Sequence, residues 1–202
     1  EEDYYTVLEK NPEDFESWRG LGMVPYATED YSSSLQAFDQ ALKINPHDIQ
    51  TILGKGDLLL ARGNFSSALE SYSAALLLAK DNVSALYGKG LALSSLGREK
   101  EANKCYRRIL ELEPDNIIAL QKIADDLLER NESIQAAEHY GLILGQDPKN
   151  ARALLGMAKA QLDLGDLDQA LQSYEELLGH DSNSSAAWIG RGEILLLQTN
   201  ID

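Results

Sequence analysis

The residues able to do chemistry are few and scattered along the chain. The one cysteine, Cys105, and the three histidines, His47, His139 and His180, form no His-x-x-x-His pair and no clustered spacing that a metal ion would need. Cys105 and His139 occupy matching places in neighbouring repeats, where an intervening helix is expected to keep them beyond hydrogen-bond reach. The Gly-x-Gly pairs follow no predicted strand. The sequence therefore predicts no catalytic site, no metal and no cofactor.

The chain is organised as an internal sequence repeat. Four prolines, Pro12, Pro46, Pro114 and Pro148, recur at multiples of 34 residues, with Lys80 at the position between them. A fixed repeat of about 34 residues is typical of a solenoid of helix pairs, because no single pair can bury its apolar face alone. The period predicts a surface that is built by stacking.

Units that begin at 15, 49, 83, 117, 151 and 185 align residues of like size in columns. Column four is large and apolar: Trp18, Ile52, Leu86, Leu120, Leu154 and Trp188. Column eight is tiny: Gly22, Gly56, Gly90, Ala124, Ala158 and Gly192. Column twenty-four is aromatic: Phe38, Tyr72, Tyr106, Tyr140 and Tyr174. Tiny residues let two helix backbones approach, and an aromatic ring fills the space beside them.

At these columns the chain resembles the tetratricopeptide repeat family, including the Trp-x-x-Leu-Gly run of Trp18, Leu21 and Gly22. The resemblance covers nearly the whole chain and implies an all-α fold, a right-handed α-solenoid of stacked antiparallel helix pairs. We expect one array over 1–202, since no linker divides it. Its five full repeats are predicted at 15–48, 49–82, 83–116, 117–150 and 151–184, with a second helix alone at 1–14 and a first helix alone at 185–202.

Turn chemistry predicts the helix boundaries. Column thirty-four holds residues that can cap a starting helix: Asp14, Asp48, Asn82, Asn116, Asn150 and Ser184. Column fifteen holds residues that tolerate a left-handed backbone: Gly63, Gly97, Asn131 and Gly165. First helices are predicted at 15–28, 49–62, 83–96, 117–130, 151–164 and 185–198, and second helices at 32–45, 65–79, 99–113, 133–147 and 167–181. Pro25 predicts a kink or an early end of the first of these near Met23.

Charge and composition limit the partners. The formal net charge is −15, although residues 49–116 carry nine Lys or Arg against eight Asp or Glu. An acidic field repels phosphate, so nucleic acid is not expected as a partner. The one basic stripe is predicted to be a solvated outer face: Lys100, Lys104, Arg107 and Arg108.

Without a long apolar run or a second cysteine, the sequence predicts a soluble cytoplasmic protein that does not insert into membranes. Asn-x-Ser sequons, which would suit an extracellular array, all fall at turn columns that favour Asn and Ser anyway.

The resemblance also implies where a ligand binds. In that family, columns two, five, six, nine and twelve of the first helices line a concave groove. Column six reads Gly20, Gly54, Gly88, Lys122, Gly156 and Gly190, which implies a groove floor with few side chains. Around it the resemblance places Met23, Tyr26, Leu53, Leu60, Tyr87, Leu91, Leu155, Lys159, Leu162, Ile189 and Leu196. The same leucines could instead face neighbouring helices, because periodicity does not separate groove from core.

A non-catalytic adaptor or scaffold that captures an apolar peptide segment of a partner protein is the function that the resemblance implies. Some family members hold acidic chaperone tails with a cluster of cationic side chains, but the matching positions here offer only Arg19, Lys122, Arg152 and Lys159. Two alternatives stay open, a substrate-recognition arm of a larger enzyme and a self-associating structural scaffold. Homodimerisation is predicted through the last helix, whose apolar residues have no second helix to cover them: Trp188, Ile189, Ile194, Leu195, Leu196 and Leu197.

Overall fold

The computed structural model describes residues 2–24 and 31–199, and within these ranges it contains twelve α-helices and no strand. The first helices of the repeats are α2 Phe15–Met23, α4 Ile49–Ala61, α6 Val83–Ser95, α8 Ile117–Glu129, α10 Ala151–Asp163 and α12 Ser185–Thr199. The second helices are α1 Glu2–Lys10, α3 Tyr31–Ile44, α5 Phe65–Leu78, α7 Glu99–Leu112, α9 Ser133–Gln146 and α11 Leu167–His180. The all-α repeat architecture predicted from the sequence is confirmed.

Capping side chains begin the first helices where the sequence predicted. The Asp48 carboxylate accepts a hydrogen bond from the backbone N–H of Thr51 at 2.8 Å, and the Asn82 amide oxygen accepts one from Ala85 at 2.8 Å. Asp14, Asn116, Asn150 and Ser184 cap α2, α8, α10 and α12 in the same way. Each such bond satisfies one of the free N–H groups of a helix start, at a gain of about 1 kcal/mol.

The first helices end in two different ways. Gly63, Gly97 and Gly165 follow α4, α6 and α10 with φ between 72° and 82°, and Asn131 follows α8 with φ of 58°, as column fifteen predicted. Helix α2 instead ends at Met23, with Val24 as its C-cap. The early end predicted from Pro25 is therefore confirmed, while Pro25 and Tyr26 themselves lie outside the described residues.

The chain groups into two compact units, an N-terminal unit of residues 1–108 and a C-terminal unit of residues 109–202. Within the N-terminal unit, α2 packs on α3 and α4, α5 packs on α4 and α6, and α4 also contacts α6. Within the C-terminal unit, α9 packs on α8 and α10, α11 packs on α10 and α12, and α10 also contacts both α8 and α12. In each unit the first helices therefore lie side by side.

The core of the N-terminal unit contains two aromatic rings, Phe38 and Tyr72, that are each held between two glycines. A Cβ atom added to Gly22 would lie 2.5 Å from the ring of Phe38, and one added to Gly54, in the next repeat, would lie 2.9 Å from the same ring. Tyr72 is enclosed in the same way, with corresponding distances of 2.9 Å from Gly56 and 2.3 Å from Gly88. All four distances are shorter than two carbon atoms tolerate, so only glycine lets these rings approach the helix backbone so closely.

A pair of glycine substitutions tests this packing. Gly88→Ala places a methyl group inside the ring of Tyr72, so we expect it to lower the free energy of unfolding by about 1 to 3 kcal/mol. Gly192→Ala, inside α12 where no atom lies within 4 Å of the added Cβ, is expected to stabilise by about 0.5 to 1 kcal/mol, because alanine favours the helix. Urea unfolding followed by circular dichroism measures both. Equal effects of the two substitutions would refute the packing argument.

Candidate protein-binding face of the first helices

The predicted groove residues of the N-terminal unit divide into core and surface. Leu53 is only 7% exposed and belongs to the core around Tyr72, which is the alternative that the sequence left open for these leucines. Leu60, Tyr87 and Leu91 are half-buried, and Met23 is exposed at 47%. Tyr26 lies outside the described residues. The face that α4 and α6 share therefore combines these partly exposed apolar side chains with the exposed carboxylate of Asp57 on α4.

The predicted groove residues of the C-terminal unit are more polar. Lys122 and Leu155 are half-buried on α8 and α10, while Lys159 is exposed. Ile189 and Leu196 on α12 are 62% and 65% exposed. Charged and apolar groups thus alternate along this face.

The glycines of column six have a different role from the one expected. Gly88 and Gly156 are buried, because the rings of Tyr72 and Tyr140 lie directly on them; an added Cβ would be 2.3 Å and 2.2 Å from these rings. Gly54 is packed against Phe38 in the same manner. The expected bare groove floor is therefore wrong, since aromatic side chains cover it. A large residue at Gly88 would displace Tyr72, so Gly88→Arg does not probe ligand binding alone.

The covering tyrosines extend their hydroxyl groups to column nine of the first helices. Tyr72 donates a hydrogen bond to the Asp57 carboxylate at 2.6 Å, and Tyr140 donates one to Asp125 at 2.9 Å. Asp125 also accepts hydrogen bonds from the side chains of Gln121 at 2.7 Å and Arg152 at 2.5 Å. Asp57 and Gln121 were missed in the sequence, where the only signal for this contact is an aspartate in column nine of a repeat whose column twenty-four is tyrosine.

Tyr106 lacks this hydrogen bond. Its repeat carries Leu91 in column nine, its side chain is 2% exposed, and its buried hydroxyl has no hydrogen-bond partner within the described part of the chain. Burial raises the pKa of Tyr106 to about 12, although the nearby Ser94 hydroxyl opposes the shift. The ring centroids of Tyr106 and Tyr87 are 6.4 Å apart. Tyr87 precedes Leu91 by one turn of α6. Column nine of this repeat therefore holds an apolar residue where the two adjacent repeats hold a carboxylate.

Two of the four cationic groove positions are neutralised by carboxylates. Arg19 pairs with Glu16, and Arg152 pairs with Asp125 at 2.5 Å. Lys159 is exposed and forms no ion pair with a described residue. A carboxylate ligand at Arg19 or Arg152 would therefore have to compete with an existing ion pair.

The residues that could do chemistry are separately placed. Cys105 is buried, and burial raises the pKa of its thiol, which keeps it in the unreactive protonated form. The His139 ring contacts the carbonyl oxygen of Gln135 in its own helix through Nδ1 at 2.9 Å. Across the described ranges, no three His, Cys, Asp or Glu side chains converge as metal ligands. Nor does any helix within 2–24 or 31–199 have the length and apolarity to cross a membrane.

Comparison with known proteins identifies the repeat. Models of the tetratricopeptide repeat match residues 1–49, 53–117 and 127–194. No curated protein sequence matches the chain. Among solved structures, PilF of Pseudomonas aeruginosa is similar with a TM-score of 0.79 at 18% identity, over 94% of this chain and 86% of PilF. YrrB, a TPR protein with an unusual peptide-binding site, has a TM-score of 0.76 at 18% identity, over 94% of this chain and 97% of YrrB. MamA has a TM-score of 0.75 at 21% identity, over 86% and 95% of the two chains.

Three tyrosine substitutions test the hydroxyl arrangement. Tyr72→Phe and Tyr140→Phe each remove a hydrogen bond to a carboxylate, so we expect each to lower the free energy of unfolding by about 1 to 2 kcal/mol. Tyr106→Phe removes a buried hydroxyl that has no partner, so it is expected to be neutral or stabilising. Denaturant unfolding of the three variants provides the comparison. A loss for Tyr106→Phe as large as for the other two contradicts the assignment.

Proposed function

Because the chain belongs to the tetratricopeptide repeat family, we propose that it is a non-catalytic scaffold that binds a peptide segment of a partner protein on the face of its first helices. Tetratricopeptide repeats are protein-protein interaction scaffolds in general. What is proposed for this chain is the face, the apolar character of the ligand and the absence of catalysis. The peptide-binding site of YrrB, which has the same fold, supports a peptide as the ligand.

The observation that carries the proposal is the partly open apolar surface of α4 and α6. Tyr87 and Leu91 are one helical turn apart on α6, and Leu60 is on the neighbouring α4. All three are half-buried, so part of their apolar area stays exposed and is available for contact with a ligand. Burying one aliphatic side chain of a peptide contributes about 1.5 to 3 kcal/mol, and a few such anchors exceed the cost of association.

A single substitution tests this face. Leu91→Asp introduces the residue that two other repeats carry at the same position, where the carboxylate accepts a hydrogen bond from tyrosine. We expect the variant to fold at least as stably as the wild type, because Tyr106 gains a partner. The affinity for peptides selected from a random library on the wild-type chain is expected to fall about tenfold or more, since a charge replaces an apolar contact. Isothermal titration calorimetry measures the affinity.

The matched control is Ile134→Asp, a charge at an exposed apolar residue of the second helix α9. It should leave peptide affinity unchanged. If the Leu91→Asp variant binds the selected peptides as tightly as the wild type does, the proposed face is wrong. Equal losses in both variants would point to a general effect of added charge and would also count against it.

A second proposal, self-association through α12, is supported by the exposure of that helix. Trp188, Ile189, Leu195, Leu196 and Leu197 are 44% to 65% exposed, whereas Ile194 is buried. One side of α12 therefore packs on its own unit, and apolar side chains continue around the other side. Pairing of identical surfaces in two chains is the commonest way to cover such a patch.

Light scattering over a range of protein concentrations tests the self-association. The wild type is expected to form a dimer, and Leu195→Glu is expected to remain monomeric, because a buried unpaired carboxylate costs several kcal/mol. A wild type that is monomeric at about millimolar concentration, near the weak limit of measurable association, excludes the proposal. So does a dimer that Leu195→Glu does not weaken.

A further inference from the structure

The N-terminal unit contains an open cleft that is separate from the predicted groove, because none of the predicted groove residues lines it. The cleft has a volume of about 540 Å³ and lies between the second helices α3 and α5, which both pack on α4. Leu35 and Leu42 of α3 form one apolar wall, and Ile52 and Leu59 of α4 form the floor. The remaining lining residues are Asp39, Pro46, Lys55, Ser67, Glu70, Ser71 and Ala74. Its volume is within the range of ligand-binding clefts.

Small side chains on α5 keep this cleft open. Ser67, Ser71 and Ala74 face it at successive turns of the helix. At the same three columns, α9 carries Gln135, His139 and Leu142, and α7 carries Glu101, Cys105 and Arg108. The repeat architecture therefore accepts larger residues at these positions. The opening is a property of this repeat rather than a requirement of the fold.

The polar groups of the cleft leave a net negative rim. Lys55 on the floor is paired with Asp39 through its ammonium group at 2.6 Å, so it offers no free positive charge. The Ser71 hydroxyl donates to the Ser67 carbonyl at 3.1 Å, within the helix. Glu70 is exposed and forms no ion pair with any residue in the described ranges. A ligand would thus meet an apolar floor and one unpaired carboxylate at the edge.

An unusually exposed leucine extends the apolar surface beyond the cleft. Leu77 is 89% exposed and follows Ala74 by one helical turn, which places both on the same side of α5. The wall of α3 likewise presents Leu35 and Leu42 two turns apart. Side chains that are spaced by whole helical turns form ridges and grooves, and these are complementary to the ridges of another helix.

We propose that this cleft binds an amphipathic helix of a partner protein, with aliphatic side chains one turn apart on the floor and a lysine or arginine against Glu70. The charge complementarity is local, because Glu70 is exposed and forms no ion pair with a described residue, while Lys55 is already paired with Asp39. The cleft involves Ile52, Lys55 and Leu59 of α4, whereas the first-helix face involves Leu60 of the same helix. The two surfaces can therefore bind different segments.

The experiment is a selection of random helical peptides displayed on phage, with the wild-type chain as target and a variant with a filled cleft as counter-target. Ser67→Gln combined with Ser71→His fills the cleft with the residues that α9 holds at these columns, so the fold should be retained. Clones enriched on the wild type are expected to share aliphatic residues three or four positions apart and a basic residue. Amide chemical shifts should change in α3 and α5 when such a peptide is added.

Affinities of the selected peptides, measured by fluorescence anisotropy, give the decisive comparison. We expect losses of about tenfold or more for the filled variant and a clear loss for Glu70→Lys, because an aliphatic anchor or the ion pair is removed. Leu91→Asp should have no effect, which separates this site from the first-helix face. The absence of any clone specific to the open cleft overturns the proposal, as does undiminished binding by Glu70→Lys. Self-association of the wild type that the filled variant abolishes would assign the cleft to a second copy and also overturn it.

Discussion

The structure depends on the contact between an aromatic ring of a second helix and the bare backbone of the first helices beside it. Tyr72 lies between Gly56 and Gly88 so closely that no Cβ atom fits at either position. A glycine inside a helix costs about 1 kcal/mol relative to alanine, and the chain accepts this cost repeatedly. The close packing of a whole ring offsets it, since dispersion attraction is lost quickly when surfaces separate. Successive repeats are joined through these shared rings.

The same contact determines the polarity of the first-helix face. A tyrosine held in this position brings its hydroxyl to column nine, where Asp57 and Asp125 accept its hydrogen bond. At Tyr106 the acceptor is replaced by Leu91, and a buried hydroxyl is left without a partner. An unsatisfied group of this kind costs about 1 to 3 kcal/mol.

Helix α4 shows how one element can contribute to two surfaces. Because successive residues of an α-helix point about 100° apart, Leu59 and Leu60 belong to different sides. Leu59 is on the floor of the cleft between α3 and α5, and Leu60 is on the face shared with α6. Every repeat places its helices in this way. Among α5, α7 and α9, however, only α5 has small side chains at all three of the columns that line the cleft. Specific surfaces thus arise from local departures within a regular framework.

The helices and their boundaries could be predicted from the sequence, because caps, left-handed turn residues and the 34-residue period are local signals. The early end of α2 could be predicted as well, since the signal, Pro25, stands within the same predicted helix. That Leu53 belongs to the core and that Gly88 lies beneath Tyr72 became clear from the packing of the helices, because a periodic pattern does not state which neighbour covers a residue. The partnerless hydroxyl of Tyr106 and the open cleft beside α5 likewise required coordinates, since each depends on distances between residues far apart in the chain.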